Sequence, residues 1–92
     1  MIKTFRHKSL RRFYDDDDSR KLPPEMVVRI RSILTALDAA RSIEALDRPS
    51  FRLHPLKGEL AGFFAVAVRA NWRIIFRFEN GNVLDVDFLD YH

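Results

Sequence analysis

The chain has 92 residues, a length that predicts one domain spanning residues 1–92. Hydrophobic residues make up 47% of the chain and aromatic residues 12%, which suffices for one modest core and excludes a disordered chain. Cysteine is absent, so disulfides, thiolate metal sites and cysteine nucleophiles are excluded, and a cytoplasmic location is expected. No apolar run approaches the roughly 20 residues of a membrane helix, so no membrane association is expected.

Charge is distributed unevenly along the chain, although the net charge is only +3. Four consecutive aspartates occupy positions 15–18, and the segment 79–92 has four acids but no Lys or Arg. Positive charge therefore concentrates in the N-terminal arm and between Arg41 and Arg77. This segregation favours a polyanionic partner such as nucleic acid, while a basic protein without an anionic partner is the alternative.

The first half of the chain predicts one strand followed by two helices. Residues 2–6 alternate as in a short strand, and residues 7–14 have helical spacing. The acidic run 15–18 predicts a solvated loop, because like charges repel and Asp is a poor helix former. Two prolines at 23–24 precede a second helix, predicted over 25–41. Its apolar stripe consists of Met26, Ile30, Ile33, Leu34 and Leu37.

The second half of the chain changes from a helical period to a period of two, which is typical of strands. Alternation predicts an extended segment at 51–54 and a turn at 55–59. Three further strands follow at 63–69, 72–78 and 84–89.

The turns between these last strands decide the architecture. Two-residue turns at 70–71 and 80–81 require the three strands to be antiparallel. We therefore predict an α+β fold, in which the N-terminal strand and two helices pack on one face of a β-meander sheet. The face with Trp72 should meet the helices, and the face with Arg73 should meet solvent or a ligand. In the last strand, a shared face is predicted for Leu84, Val86 and Phe88.

Several familiar kinds of site are missing from the sequence. The three glycines are scattered, so no phosphate-binding loop is predicted. His7, His54 and His92 are far apart, without the spacing of metal ligands. Neither Ser42 nor Ser50 has the context of a nucleophile. The residues therefore predict no metal and no cofactor.

A polar set on or beside the sheet remains for chemistry. It consists of His54, Lys57, Arg69, Arg73, Asp90, Tyr91 and His92. RNA can be cut without a metal, because its own 2′-hydroxyl is a nucleophile that needs a base, an acid for the leaving oxygen and fixed positive charge at the phosphate. Imidazole suits the proton transfers, Arg and Lys suit the phosphate, and an aromatic ring can stack on a base. Residue types alone leave the alternative that each is an ordinary strand, turn or terminal residue.

Short motifs make the chain resemble a known family over nearly its whole length. They are MIKTF at 1–5, HPLKG at 54–58, VRANWRI at 68–74 and DYH at 90–92. In this order and in a chain of this length, they resemble the HigB plasmid-maintenance killer family of the RelE superfamily. The resemblance implies a RelE-like toxin that acts as a ribosome-dependent, metal-independent endoribonuclease (an mRNA interferase). Such an enzyme cleaves translated mRNA by 2′-hydroxyl attack and so inhibits translation.

The resemblance also implies partners. These are a helix-turn-helix antitoxin of the HigA type, the ribosome with its mRNA, and operator DNA contacted only through the antitoxin. Two alternatives stay open: a toxin of the same fold that acts without cutting RNA, such as a gyrase poison, or a non-catalytic RNA-binding module. Gyrase-directed relatives lack the His, Lys and Asp set at the sheet and chain end, which argues against the first.

The resemblance implicates six positions in cleavage. They are His54, Lys57, Arg73, Asp90, Tyr91 and His92. With the chemistry above, Lys57 and Arg73 are expected to hold the scissile phosphate. Asp90 and His92 are expected to handle protons, with His54 as a second proton-transfer candidate.

Three further side chains complete the predicted site. Tyr91 is expected to stack on or position a base. Arg69 and Arg77 are expected to contact the RNA backbone or the ribosome.

Overall fold

The computed structural model describes residues 1–90, so the predicted site residues Tyr91 and His92 lie outside the described residues. Its elements are α1 (Lys8–Asp16), α2 (Val27–Ala39), β1 (His54–Pro55), β2 (Phe63–Arg69), β3 (Trp72–Glu79) and β4 (Asn82–Asp90). Short 3₁₀ turns lie at Pro24–Met26, Ile43–Leu46 and Gly58–Leu60. The strands form one antiparallel sheet in the order β1-β2-β3-β4. This arrangement confirms the predicted α+β fold.

The main core lies between the helices and one face of the sheet. All five residues of the predicted apolar stripe are buried, four of them in α2 and Met26 in the 3₁₀ turn that precedes it. They belong to one cluster with Leu10 of α1 and with Val66, Ile74 and Phe76 of the sheet. On the same face, the ring of Trp72 stacks on Phe88 with 4.6 Å between centroids. The prediction that the Trp72 face meets the helices is therefore confirmed.

The N-terminal segment pairs with the sheet but is not a continuous strand. It makes two isolated parallel bridges to β4, Ile2 with Val83 and Phe5 with Val86. The ladder is interrupted at Asp85, whose backbone N–H donates to the Thr4 hydroxyl at 2.8 Å instead of to a backbone carbonyl. The predicted strand over 2–6 is thus wrong as a regular element, although its hydrogen-bonding partner is the sheet.

A β-bulge in β4 overturns the predicted face of Leu84. Asp85 adopts φ 53°, and the register shifts so that Leu84 lies opposite Arg77. Two residues of β4 therefore face one of β3, which moves every residue before the bulge to the other face. Val83, rather than Leu84, joins Val86 in the main core.

The acidic run is partly helical, which contradicts the predicted loop. Asp15 and Asp16 belong to α1, and the helix ends where Asp17 adopts φ 55° and donates its N–H to the Phe13 carbonyl. Arg11 bonds Asp15 one turn later at 3.4 Å, so an ion pair offsets the poor helix propensity of Asp.

The connection from α2 to the sheet also differs from the prediction. The helix stops at Ala39 rather than near residue 41, and the 3₁₀ turn Ile43–Leu46 follows with Leu46 fully buried. Arg52 has φ 50°, which breaks the predicted extended segment and leaves only the short strand β1. Within residues 1–90, no helix is long and apolar enough to cross a membrane.

Candidate active site

The face of the sheet turned away from the helices, here called the open face, collects several predicted site residues. His54 lies opposite Ala65, and Arg73 lies opposite Ala67, two residues further along β2. Because alternate residues of a strand share a face, His54 and Arg73 lie on the same face. Two strand spacings place Arg73 about 10 Å across the sheet from the strand of His54. Arg77, opposite Phe63, shares this face.

The open face is less exposed than predicted. A second apolar cluster lies on it, formed by Leu56, Phe63, Ala65 and Ile75, with Leu60 and Leu89 packed alongside. Ile75 is only 1% exposed, because the segment between β1 and β2 folds back over the centre of the face. The polar side chains therefore surround a small apolar patch rather than standing on a flat solvated sheet.

The ring of His54 has a defined orientation. Its Nδ1 lies 3.0 Å from the carbonyl oxygen of Arg52. A carbonyl can only accept, so the bond requires a proton on Nδ1. In the neutral ring, Nε2 then carries the lone pair, and the side chain is exposed to solvent. His54 is thus arranged to accept a proton at Nε2.

Lys57 is positioned by its neighbours. Leu56 is buried and donates its backbone N–H to the Phe63 carbonyl at 2.8 Å. Gly58, at φ +67°, starts the following 3₁₀ turn in a conformation that favours glycine. Lys57 is held between these two fixed points with its side chain exposed beside the apolar patch. This placement leaves its ammonium group accessible to an anion.

Arg73 is half-buried and bound to the turn that joins β2 and β3. Its Nη1 donates to the Ala70 carbonyl at 2.6 Å and to the Trp72 carbonyl at 2.9 Å. The Nε and Nη2 donors make no hydrogen bond within residues 1–89, so they are available to a phosphate. The two carbonyl contacts orient the guanidinium group before any ligand binds.

Asp90 lies at the end of β4, beside this turn. It is opposite Trp72, while its neighbour Leu89 is opposite Arg73. The carboxylate is exposed. Because paired residues share a face, Asp90 lies on the Trp72 face, at the same end of the sheet as Arg73 but not on the open face. The two residues that follow Asp90 lie outside the described part of the chain.

The two predicted RNA contacts differ from each other. Arg77 is half-buried and forms ion pairs with Glu79 and with Asp85, the latter at 3.4 Å. Arg69 is exposed and lies opposite Trp72, because a register shift follows Ala67. Neither placement tests a role in RNA binding, which stays a prediction for both residues. Arg77 would have to leave its carboxylate partners to bind RNA.

His7, which the sequence analysis did not place in a site, has a structural role. Its Nδ1 accepts the backbone N–H of Leu10 at 3.1 Å and caps α1. The ring packs edge-on against Phe88 with 5.8 Å between centroids. Burial lowers the pKa of His7 below its ordinary value, and the nearby charge of Asp87 opposes this effect. In the part of the chain that the structure describes, no group of three His, Asp or Glu could hold a metal ion.

Comparison with known proteins identifies the family. Residues 3–92 match the HigB-like toxins, described as RelE-like toxins of the type II toxin-antitoxin system HigB. The chain belongs to this family. It is 42% identical to Endoribonuclease HigB of Proteus vulgaris over the full length of both chains. It is also 33% identical to Toxin HigB-1 of Vibrio cholerae, covering 100% of this chain and 98% of that one.

Solved structures extend the likeness of this HigB-family chain at the level of the fold. The YoeB-YefM toxin-antitoxin complex of Staphylococcus aureus contains a chain that matches with TM-score 0.62 and 18% identity, covering 100% of this chain and 95% of that one. The toxin-antitoxin complex RelBE2 of Mycobacterium tuberculosis matches with TM-score 0.53 and 22% identity, covering 97% and 96%. The RelE-like fold predicted from the sequence is therefore confirmed.

Proposed function

We propose that this chain is an endoribonuclease that cuts mRNA during translation, without a metal ion, and that it is the toxin of a type II toxin-antitoxin pair. The observation that carries the proposal is the open face, where His54, with its Nε2 directed away from the Arg52 carbonyl, shares a surface with Arg73. The full-length similarity to a protein named Endoribonuclease HigB supports it.

The proposed reaction uses the 2′-hydroxyl of the RNA as its nucleophile. His54 takes the proton of that hydroxyl at Nε2 while the 2′-oxygen bonds to the adjacent phosphorus. The bond between phosphorus and the 5′-oxygen breaks, and this oxygen receives a proton from the pair Asp90 and His92. The products are a 2′,3′-cyclic phosphate and a 5′-hydroxyl end, so atoms and charge balance without a co-reactant.

Fixed positive charge stabilises the proposed transition state. Lys57 and Arg73 bind the phosphate oxygens as negative charge grows on them. The Nη1 contacts of Arg73 to the turn reduce the reorganisation needed during the reaction. Tyr91 positions a base next to the cut. A site with so few groups gains from a partner that orients the RNA, and we propose that the ribosome does so.

The proposed setting follows from the family. A helix-turn-helix antitoxin of the HigA type would bind and silence the toxin, and operator DNA would be contacted only through that antitoxin. Both would act in the cytoplasm, where ribosomes translate. Co-expression with the neighbouring antitoxin gene should restore growth that the toxin alone arrests, and the two proteins should co-purify. Continued arrest would contradict this partner.

Cleavage in a purified translation system tests the enzyme. The wild-type chain should cut mRNA only while it is translated, with cut positions mapped by primer extension and cyclic phosphate ends on the products. His92→Gln should abolish the cuts. Naked RNA treated with EDTA is the separate control for metal-dependent cleavage by a contaminant.

Other outcomes would point elsewhere. Intact mRNA together with DNA damage in cells would favour a gyrase poison. Binding to RNA without any cleavage product, from protein that is folded, would favour a non-catalytic RNA-binding module.

A further inference from the structure

A cluster of arginines lies at the edge of the sheet, around the ring of Phe51, which is buried in the main core. The guanidinium carbon of Arg29 lies 5.2 Å from the centre of this ring, and that of Arg48 lies 5.0 Å from it. Arg52 follows Phe51 directly and is exposed. We call Arg29, Arg48 and Arg52 the arginine ledge. The guanidinium groups of Arg29 and Arg48 both make cation–π contacts with the ring of Phe51.

Hydrogen bonds fix the ledge to the rest of the protein. The Nη2 of Arg29 donates to the Ser50 carbonyl at 2.5 Å and to the Ala67 carbonyl at 2.8 Å. The N–H of Ala67 in turn donates to the Phe51 carbonyl at 2.8 Å. Helix α2, the segment 48–52 and strand β2 are therefore tied together at this point. The ledge is a built surface and not a set of unrelated side chains on a loose loop.

No carboxylate of residues 1–89 forms an ion pair with any ledge arginine. This includes Glu44 and Asp47, the acids that precede Arg48 in the sequence. Three arginines elsewhere do have carboxylate partners: Arg11 pairs with Asp15, Arg20 with Asp18 and Arg31 with Asp17. Like charges held together without counter-charges create a positive potential that an anion relieves. The ledge thus has the electrostatics of an anion site.

The ledge is continuous with the candidate catalytic residues. The carbonyl oxygen of Arg52 accepts a hydrogen bond from Nδ1 of His54 at 3.0 Å. Ala67, which binds both Arg29 and Phe51 through its backbone, lies directly opposite Arg73. A strand of RNA with its scissile phosphate at His54 and Arg73 would therefore have neighbouring phosphates within reach of the ledge.

We propose that the arginine ledge binds the phosphate backbone of the RNA next to the cut. This inference rests on the proposed function, because it extends the path of the same substrate. An RNA strand fits better than an acidic segment of a protein, since the backbone of Arg52 directly contacts His54, which would take part in cleavage. Arginine also matches phosphate in geometry, with two parallel hydrogen bonds. Phosphate contacts of this kind determine the position and affinity of the bound RNA, but they do not select particular bases.

Salt-dependent binding of a non-cleavable RNA tests the ledge. The probe is a fluorescent single-stranded RNA with every 2′-hydroxyl methylated, which leaves the protein's catalytic groups intact. The double variant Arg48→Gln and Arg52→Gln is compared with wild type by anisotropy across a salt series. Removing one arginine that binds a phosphate should reduce the steepness of log affinity against log salt concentration by about 0.7. At about 0.1 M salt this corresponds to an affinity about fivefold weaker. The double variant should therefore bind about 25-fold more weakly at this salt concentration.

The matched control removes two arginines that already have carboxylate partners. Arg11→Gln with Arg20→Gln changes the net charge by the same amount and should keep the wild-type slope. Arg52→Gln alone spares the packing on Phe51, so it tests the ledge even where the double variant fails to fold. Its slope should fall by about 0.7.

The outcomes separate the ledge from the enzyme. Equal losses in the ledge variant and in the control would overturn the ledge, since net charge alone would explain the binding. An unchanged RNA slope with weaker antitoxin binding would also overturn it and assign the surface to the antitoxin. Wild-type cleavage of translated mRNA is measured separately: its failure removes the proposed function, whereas the binding slopes still decide whether the ledge holds RNA phosphates.

Discussion

Two regions of the molecule carry arginines in opposite electrostatic settings. At the C-terminal end of α1, three of the four aspartates of the run 15–18 bind arginines of α1, α2 and the intervening loop. A hydrogen bond from the Arg20 side chain, with a second from its backbone, holds the pKa of Asp18 below its usual range. At the edge of the sheet, the arginine ledge has no such partners among residues 1–89. A polyanion would therefore be drawn to the sheet side, which the net charge of +3 does not reveal.

The largest expected effect contrasts two histidines with different roles. His54 should act as a base at the open face, so His54→Gln should slow cleavage of ribosome-bound mRNA by about 10²- to 10⁴-fold. His7→Asn keeps an acceptor that can cap α1 and should leave the cleavage rate unchanged. Single-turnover cleavage on programmed ribosomes measures both. Equal rates for His54→Gln and wild type would remove His54 from the mechanism.

The next effect concerns the ring beneath the ledge. Phe51 is only 1% exposed, so Phe51→Ala should lower the free energy of unfolding by about 3–5 kcal/mol through reduced burial and a cavity. Val28 is 82% exposed, and Val28→Ala should change the same quantity by less than about 0.5 kcal/mol. Urea unfolding measures both variants. A small effect at Phe51 would mean that the ledge lacks a rigid support.

A third experiment removes carboxylate partners from arginines of the helical region, so that these arginines become unpaired like those of the ledge. Asp17→Asn with Asp18→Asn frees Arg31 and Arg20, and Asn suits the left-handed conformation of residue 17. Affinity for single-stranded RNA should rise by up to about fivefold for each freed arginine at about 0.1 M salt.

The control for this experiment removes two acids without freeing an arginine. Neither Asp16 nor Glu25 takes part in an ion pair within residues 1–90, so Asp16→Asn with Glu25→Gln should raise RNA affinity less. Equal gains in the two double variants would show that only net charge matters, and the contrast between the two regions would then have no bearing on RNA binding.

Local chemistry explains which parts of the fold could be predicted from the sequence. The Asn80-Gly81 hairpin was predictable because both residues adopt positive φ, 51° and 78°, as their types allow. The bulge at Asp85 was not, because it depends on a hydrogen bond to Thr4, 81 positions away. The helical part of the acidic run likewise depends on an ion pair that the run alone does not show.

The candidate site was predictable to a similar degree. His54 and Arg73 share a face because of the register of three strands. The tight turn at 70–71 predicts the pairing of β2 with β3, but the sequence does not give the register of β1 against β2. The placement of Tyr91 and His92 lies outside the described residues, and their roles stay predictions. The ledge was missed because Arg29 reaches Phe51 from a different element. The signal that could have found it was the positive charge concentrated between Arg41 and Arg77.

The smallest expected effect is a dependence of stability on pH that His7 confers. Its Nδ1 must be unprotonated to accept the Leu10 N–H, and burial lowers the pKa of the ring below the ordinary 6.5, against the opposing charge of Asp87. The folded state therefore binds a proton less readily than the unfolded state. The stabilisation from the cap is fully present above pH 6.5 and is lost as the pH falls through 6.5 toward the lowered pKa of the folded protein.

Urea unfolding at about pH 7.5 and about pH 5.5 measures this loss, and the free energy of unfolding should be smaller at the lower pH. His7→Asn caps α1 without titrating, so its stability should change less between the two pH values than that of wild type. An equal dependence on pH in His7→Asn and in wild type would show that His7 is not the titrating group, and the capping role assigned to its neutral ring would then be wrong.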